Sequence, residues 1–434
     1  MTPAAEGADS ECAARRRTPG LKERLIDATS RIVASRTAGR LPEALARATE
    51  AHRALRSAES GELAPLKSTL PLLTIQWSRA MDVADHPSAV ELYEDTYETA
   101  LLVEQPHVAR RAAASLAWMY AEQGHTHEAR NWLDRADAID RPAHGHDTPL
   151  FLAAALLSAD SLDFDEARAH LAMALRFPPG EYWAAALWMR SLLCRSAEDR
   201  TELERDLTSA LSQHPADLAN SGANLRYIEL ARWVLNRPRE LSPDGMRTAL
   251  QPSAIGGLIE SEMAYRQGLF DESQRRSAPL LTAGTAPRFR ALALLLTAAS
   301  RFHLDRTASA LDAFRQAHAL AEHEDLLLVF SVIDGADLHE LARLSERELR
   351  PIVVEVVYPR TTSRQRIASL SKRERQVLEL LTTELPNTQI AERLFVTTNT
   401  LKSTLRNVYR KLGVHNRRSA SEAARLLGFD RSRE

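Results

Sequence analysis

Thr397-Thr-Asn-Thr-Leu-Lys-Ser-Thr-Leu-Arg-Asn-Val-Tyr-Arg-Lys-Leu-Gly413 is the stretch from which the rest of the chain can be read. At helical period Leu401, Leu405 (with Thr404 beside it), Val408 and Leu412 form one apolar stripe. Asn399, Lys402, Ser403, Arg406 and Arg410 recur on the other face, three or four residues apart. One side suits a protein core and the other a polyanion. A helix that reads DNA needs both.

The flanking residues supply the other parts of such a domain. Ser371-Lys-Arg-Glu374 has the spacing of a capping box, and Val377, Leu378, Leu380 and Leu381 give the helix it opens an apolar side. Leu385-Pro386-Asn387 forces a turn. A short second helix follows, with Ile390, Ala391 and Leu394 inward. Phe395-Val396-Thr397 makes a tight turn, and Thr397 can N-cap the basic helix. Gly413 ends that helix, with Lys411 in its last turn where a cation suits the dipole. Asn416 can cap a fourth helix running through Leu427 to Gly428. Helix, helix, tight turn, basic helix and closing helix is a helix-turn-helix plan.

Leu370-Ser-x-Arg-Glu374-x-x-Val-Leu-x-Leu-Leu381, Asn387-x-x-Ile-Ala391, Thr400-Leu-Lys402 and Lys411-Leu-Gly-Val414 occur in this order, and together they resemble the LuxR-type DNA-binding domain. That family usually has Gly where Glu384 stands, Ser at Pro386, Lys-Glu at Thr388-Gln389 and often His at Thr404. The resemblance implies that Lys402, Ser403 and Arg406 meet base edges. It implies that Thr397, Thr400, Asn407, Arg410 and Lys411 hold phosphates, with Asn399 on the same face. Such contacts divide into those that specify and those that position. It further implies that Ala420, Ala423, Ala424 and Leu427 of the fourth helix pair two domains, giving a homodimer on a two-fold promoter site in double-stranded DNA. Activation through contact with RNA polymerase is the family's habit.

Charge agrees with a nucleic-acid partner at this end alone. The 434 residues carry a formal net charge of −2, yet Arg364 to Glu434 holds 15 Lys+Arg against 7 Asp+Glu. A basic tail on an acidic body confines polyanion binding to the tail. Apolar residues make up 44% and aromatics only 6%, which fits Ala- and Leu-rich stacked helices rather than sheets. Cys12 and Cys194 are too few and too far apart for a disulfide framework or a metal set, as in a reducing cytoplasm. Apolar runs such as Ala291–Ala299 are too short to span a bilayer.

Residues 1–20 lack periodicity and read as a disordered tail. From Leu21 the chain is helical in short amphipathic segments. The clearest unit is Leu116-Ala-x-x-Tyr120, Gly124, Ala129-x-x-x-Leu133-x-x-Ala136, similar to a tetratricopeptide repeat. Weaker copies fall at Gly39/Ala44/Ala48/Ala51, Ala89/Tyr93, Ala167/Leu171/Ala174, Leu203/Leu207/Ala210 and Gly268/Ser273, and a better one at Ala298/Ala310/Phe314/Ala317. Positions 44, 89, 129 and 167, then 273 and 310, lie 37 to 45 residues apart, longer than the roughly 34 of an ideal repeat. The expectation is an all-α chain: a degenerate tetratricopeptide-like solenoid of about eight helix pairs over residues 21–348, then a four-helix LuxR-type domain over 369–434. Residues 317–334 also resemble the last repeat of the large MalT-like members of that family. Those carry an ATPase module for which this chain has neither room nor a Gly-x-x-x-x-Gly-Lys-Ser/Thr motif.

Residues 349–368 read as an extended segment and a basic linker. Leu344-Ser-Glu-Arg-Glu348 mimics the start of the DNA-binding domain but runs into Pro351 and the β-branched Ile352–Tyr358, which stop a helix. His125-x-His127 and His144-x-His146 fall in inter-helix turns without partners to complete a metal set. No catalytic motif, metal site or cofactor site is expected. The leading function is sequence-specific transcriptional regulation, with the repeats sensing an unidentified ligand or protein. The alternative is a repeat-based interaction scaffold in which DNA binding is secondary.

Overall fold

The computed structural model describes residues 20–139, 147–176, 178, 180–194, 197–214, 222–236, 254–351, 353, 372–383, 385–394, 396–412, 417, 420 and 421, and at 197, 254, 372, 399 and 410–412 the backbone alone. The described residues are helical with no strand. Helices α1 (Leu21–Thr37) and α2 (Leu41–Arg56) pack as an antiparallel pair, and so do α3 (Leu70–Val83) with α4 (Ala89–Leu102) and α5 (Pro106–Gln123) with α6 (Thr126–Asp137). The pairing continues in α7 (Thr148–Asp160) with α8 (Phe164–Ala174). It changes at α9 (Trp183–Leu192), which packs chiefly on α11 (Ala223–Asn236), leaving α10 (Ala197–Gln213) to one side. Pairing then resumes with α12 (Ala254–Arg266) on α13 (Phe270–Ser277) and α14 (Pro287–His303) on α15 (Thr307–His323), closed by α16 (Gly335–Leu344).

Small residues set the spacing within pairs. Ala44, Ala48 and Ala51 are buried on α2, Ala129 and Ala136 on α6, and Ala310, Ala313 and Ala317 on α15. With no side chain beyond Cβ, each lets the facing helix approach closely. Large side chains fill the layers between pairs: Trp77, Trp118, Phe314 and Phe330 are among the largest fully buried. Their polar edges are satisfied. The Trp77 Nε1 donates to Thr29 Oγ1 at 2.7 Å and the Trp118 Nε1 to Tyr227 Oη at 2.8 Å.

The repeat is written most regularly in its turns. Gly39, Asp85, Glu104, Gly124, Leu162, Gly268, Asp305, Asp325 and Glu346 all have positive φ. After each, the next amide donates to the carbonyl five residues back, as in Arg40 to Ser35, Gln105 to Ala100, His125 to Tyr120 and Arg306 to Arg301. This is the Schellman cap, which satisfies the carbonyls a helix end leaves open.

The stack is also tied between parts far apart in sequence. α5 bonds to α11 through Trp118–Tyr227 and Glu122–Arg226 and packs on α14, and Gly124 lies so close to Arg288 that a Cβ would come within 2.7 Å of the Arg288 backbone nitrogen. The buried Arg288 holds the Asp160 carboxylate with two bonds, 2.7 and 2.6 Å, and donates to the carbonyls of Ala121 and Glu122. Thr126 bonds to Glu324, nearly two hundred residues on, through its amide and hydroxyl.

The Leu344–Glu348 mimic does not start a helix, since Glu346 takes positive φ. Beyond it, Pro351 and Val353 are helical in backbone rather than extended, with the Val353 amide donating to Arg350 at 2.9 Å and its side chain buried in the repeat core. Proline's fixed φ fits a first helical turn, which is why this part of Ile352–Tyr358 turns. Residues 1–19 and 354–371 lie outside the described residues, and with them the expected tail and linker.

The C-terminal helices α17 (Lys372–Leu381), α18 (Asn387–Arg393) and α19 (Thr398–Leu412) build a separate core. Val377, Leu378 and Leu381 meet Ile390, Ala391 and Leu394 there, with Leu401, Leu405 and Val408 from α19. Ala420 is fully buried in this core. The expectation that Ala420 belongs to an exposed pairing face is therefore corrected: its methyl fills the domain's own interior. Ala423, Ala424 and Leu427 lie outside the described residues.

Candidate nucleic-acid interface

α19 begins just after Thr397. The Thr397 Oγ1 accepts from the Thr400 amide at 3.1 Å, and its carbonyl takes the Leu401 amide at 3.0 Å, so one residue both caps and starts the helix. The turn before it is fixed by the Val396 amide donating to Ala391 at 3.0 Å. Ser371, half of the expected capping box on α17, lies outside the described residues. So does Gly413.

With Leu401, Leu405 and Val408 held inward, geometry sends the intervening positions outward. Thr397, Thr400, Lys402, Ser403, Arg406 and Asn407 are all exposed. The side chains of Asn399, Arg410 and Lys411 lie outside what the structure describes. Lys402 and Arg406 form no ion pair with any described residue, so their donors stay available. The Ser403 and Thr404 hydroxyls donate back to the Thr400 carbonyl at 2.8 and 2.9 Å. Ser403 thereby keeps its acceptor lone pairs outward. Six neighbouring side chains thus present two cations and several hydroxyl or amide groups on one helix face.

Two arginines whose roles the sequence reading missed brace α17, α18 and the turn between them rather than adding to the charge of α19. Arg417 donates to the carbonyls of Thr383 (3.0 Å) and Leu385 and to Asn387 Oδ1 at 3.1 Å. It spans the turn between α17 and α18, where Glu384 and Pro386 replace the residues usual there. Pro386 provides no side-chain cap for α18, while Arg417 holds the turn ahead of it through the carbonyls of Thr383 and Leu385. Arg373 donates to the Leu394 carbonyl at the end of α18. A guanidinium bonding to main-chain oxygens has no carboxylate partner in the sequence to betray it, so neither role has a sequence signal.

A tri-helical unit with a short scaffold helix, a tight turn and an exposed polar helix seated on its own core is a helix-turn-helix DNA-binding domain. Residues 368–424 match the family described as bacterial regulatory proteins, luxR family, and this C-terminal domain is a LuxR-family domain. Among curated proteins, a nitrate/nitrite response regulator protein homolog of Haemophilus influenzae is 36% identical over 98 residues, 22% of this chain and 45% of that protein. The HTH-type transcriptional regulator MalT of Yersinia pestis is 40% identical over 73 residues, 17% of this chain and 8% of that protein. The chain thus spans less than half the length of these curated relatives. No solved structure matches.

Two of the histidines singled out in the sequence serve packing. His125 stacks edge-on against Tyr120 and His127 bonds to the His323 carbonyl at 2.8 Å. Among the described residues no three His, Cys, Asp or Glu gather as a metal site, and no helix is long and apolar enough to cross a membrane.

Proposed function

We propose that the chain is a transcriptional activator that binds a two-fold promoter site as a homodimer and contacts RNA polymerase, its repeat domain receiving a ligand or protein signal. The observation that supports sequence reading is that Lys402 and Arg406, on the outer face of α19 beside Ser403, are exposed and pair with no described residue. Lys and Arg in the major groove pair with guanine acceptors, whereas we assign Thr397, Thr400, Asn407, Arg410 and Lys411 to phosphates by their resemblance to the LuxR-type pattern.

Selection of bound sequences from random duplex with the full chain tests this. A preferred, two-fold sequence is expected, with log affinity falling against log salt at a slope of about −4 to −8 for the dimer. Lys402→Ala and Arg406→Ala should each relax preference at particular bases and cost about 1–3 kcal/mol there. Lys411→Ala should weaken every sequence alike. Uniform losses in all three would remove the assignment of base readers, and a slope flatter than about −2 would remove α19 as the binding surface. An interaction scaffold would keep its function in Arg406→Ala.

A further inference from the structure

We infer that the repeat domain contains a binding site for a small organic oxyanion, a carboxylate or phosphate monoester bearing hydroxyl groups, in the cavity beside Arg79 and Arg111. This rests on the reading of the repeats as the receiving part. The cavity has a volume of about 330 Å³ and opens to solvent, at the small end of ligand sites. It is lined by Arg79 from α3, Arg111 and Ser115 from α5, Thr148 from the start of α7, and Glu181 and Tyr182 before α9. Three successive helix pairs therefore contribute, and an occupant would bridge them.

The charges of this site do not cancel. Glu181 is shared by Arg36 at 2.7 Å and Arg79 at 2.5 Å. Asp147, also on the wall, is held by Arg110 at 2.9 Å. Arg111 forms no ion pair or hydrogen bond with any described residue. Three guanidinium groups thus surround one carboxylate. Nearby Asp82 offers little relief, because burial, then Glu122, push its pKa up to about 7. Partial desolvation, then the neighbouring Arg79, lower the pKa of Arg111, with Tyr182, Tyr93 and Glu181 pulling the other way.

Arg111 is exposed where it lines the cavity, and the carboxylates beside it, Glu181 and Asp147, are already held by other arginines. An unmatched guanidinium fork at a cavity wall is suited instead to bidentate capture of a planar or tetrahedral oxyanion. The Ser115 and Tyr182 hydroxyls, 3.2 Å apart on the same wall, add donors and acceptors for an alcohol. The apolar remainder of the lining, Ala114 and Pro149 among it, limits the ligand to a short carbon skeleton.

Titration calorimetry on the full chain with inorganic phosphate, glycerol phosphate and citrate tests the site. At least one organic anion is expected to bind with a Kd below about 1 mM. Arg111→Gln should weaken it at least about tenfold while Arg111→Lys keeps part of the affinity. Because Arg111 pairs with no described residue, the melting temperature of unliganded Arg111→Gln should match or exceed that of the parent, which separates lost binding from lost fold. The proposal falls if none of the three anions gives heat or if Arg111→Gln binds as the parent does. Inorganic phosphate binding as tightly as both organic anions would sink the claim of an organic ligand. The measurement contains no DNA, so it fails or succeeds independently of the regulator reading.

Discussion

Asp82 on α3 lies beside the Tyr93 hydroxyl, which donates to its Oδ2 at 3.3 Å, among Glu122, Arg226 and Arg79. Burial, then repulsion from Glu122, raise its pKa to about 7, with the arginines pulling the other way. A raised folded-state pKa means that the native protein binds this proton more tightly than the unfolded chain does. The stability it contributes is fully present below the ordinary carboxyl pKa and is lost as pH rises through about 7. Asp82→Asn keeps an acceptor for Tyr93 and removes the charge. Relative to the parent it should gain about 1–2 kcal/mol at pH 8 and almost nothing at pH 4, the figure being reduced for partial solvent access. Urea unfolding at the two pH values reads the difference, and equal gains at both would refute the titration. At this scale the outward Lys402 and Arg406 were legible, because helical period alone sends them away from Leu401, Leu405 and Val408. Arg417, Arg111 and Asp82 were not. Their roles depend on neighbours that only the folded chain assembles.

Helices were legible as elements, and so were those turns that use glycine, at Gly39, Gly124 and Gly268. The same left-handed cap at Asp85, Glu104, Leu162, Asp305, Asp325 and Glu346 carries no glycine, so its regularity was hidden from a reading by residue type. The shift of partner at α9 was equally hidden, for amphipathicity states that a helix has a buried face and not which helix covers it. These turns make opposite predictions for opposite substitutions. Gly124→Ala meets both a φ of +87° and a Cβ contact of 2.7 Å with Arg288 backbone, and should cost about 2–3 kcal/mol. Glu104→Gly places the residue with free access to positive φ at an exposed cap (φ +58°), and should stabilise by up to about 1 kcal/mol. Denaturant midpoints of the two variants check the pair. A destabilised Glu104→Gly would mean that the glutamate side chain makes a contact worth more than the backbone strain.

Helical repeats that touch only their neighbours unfold piecemeal, since their stability is a sum of nearest-neighbour terms. This stack has additional ties. The end of α5 receives Arg226, bonded to Glu122 at 2.7 Å, then Arg288 on the carbonyls of Ala121 and Glu122, while Thr126 at the start of α6 takes Glu324. These partners come from three separate regions of sequence, so no local pattern could have shown the convergence. Arg288 is the member with the most to lose. It neutralises Asp160, whose pKa burial raises and Arg288 lowers, and it satisfies two helix-end carbonyls besides. Arg288→Ala leaves Asp160 buried and uncompensated, a loss of about 3–5 kcal/mol. It also cuts a tie between α14 and the α5–α7 region. The parent repeat domain should therefore unfold in one transition, and Arg288→Ala in a broader or two-step one, with the segment around α14 losing amide protection first. Asp160→Asn in the Arg288→Ala background should recover part of the loss by removing the stranded charge, without restoring the single transition. Hydrogen exchange and urea unfolding followed by tryptophan fluorescence measure both effects. A sharp single transition in Arg288→Ala would show that the stack holds together through neighbouring pairs alone.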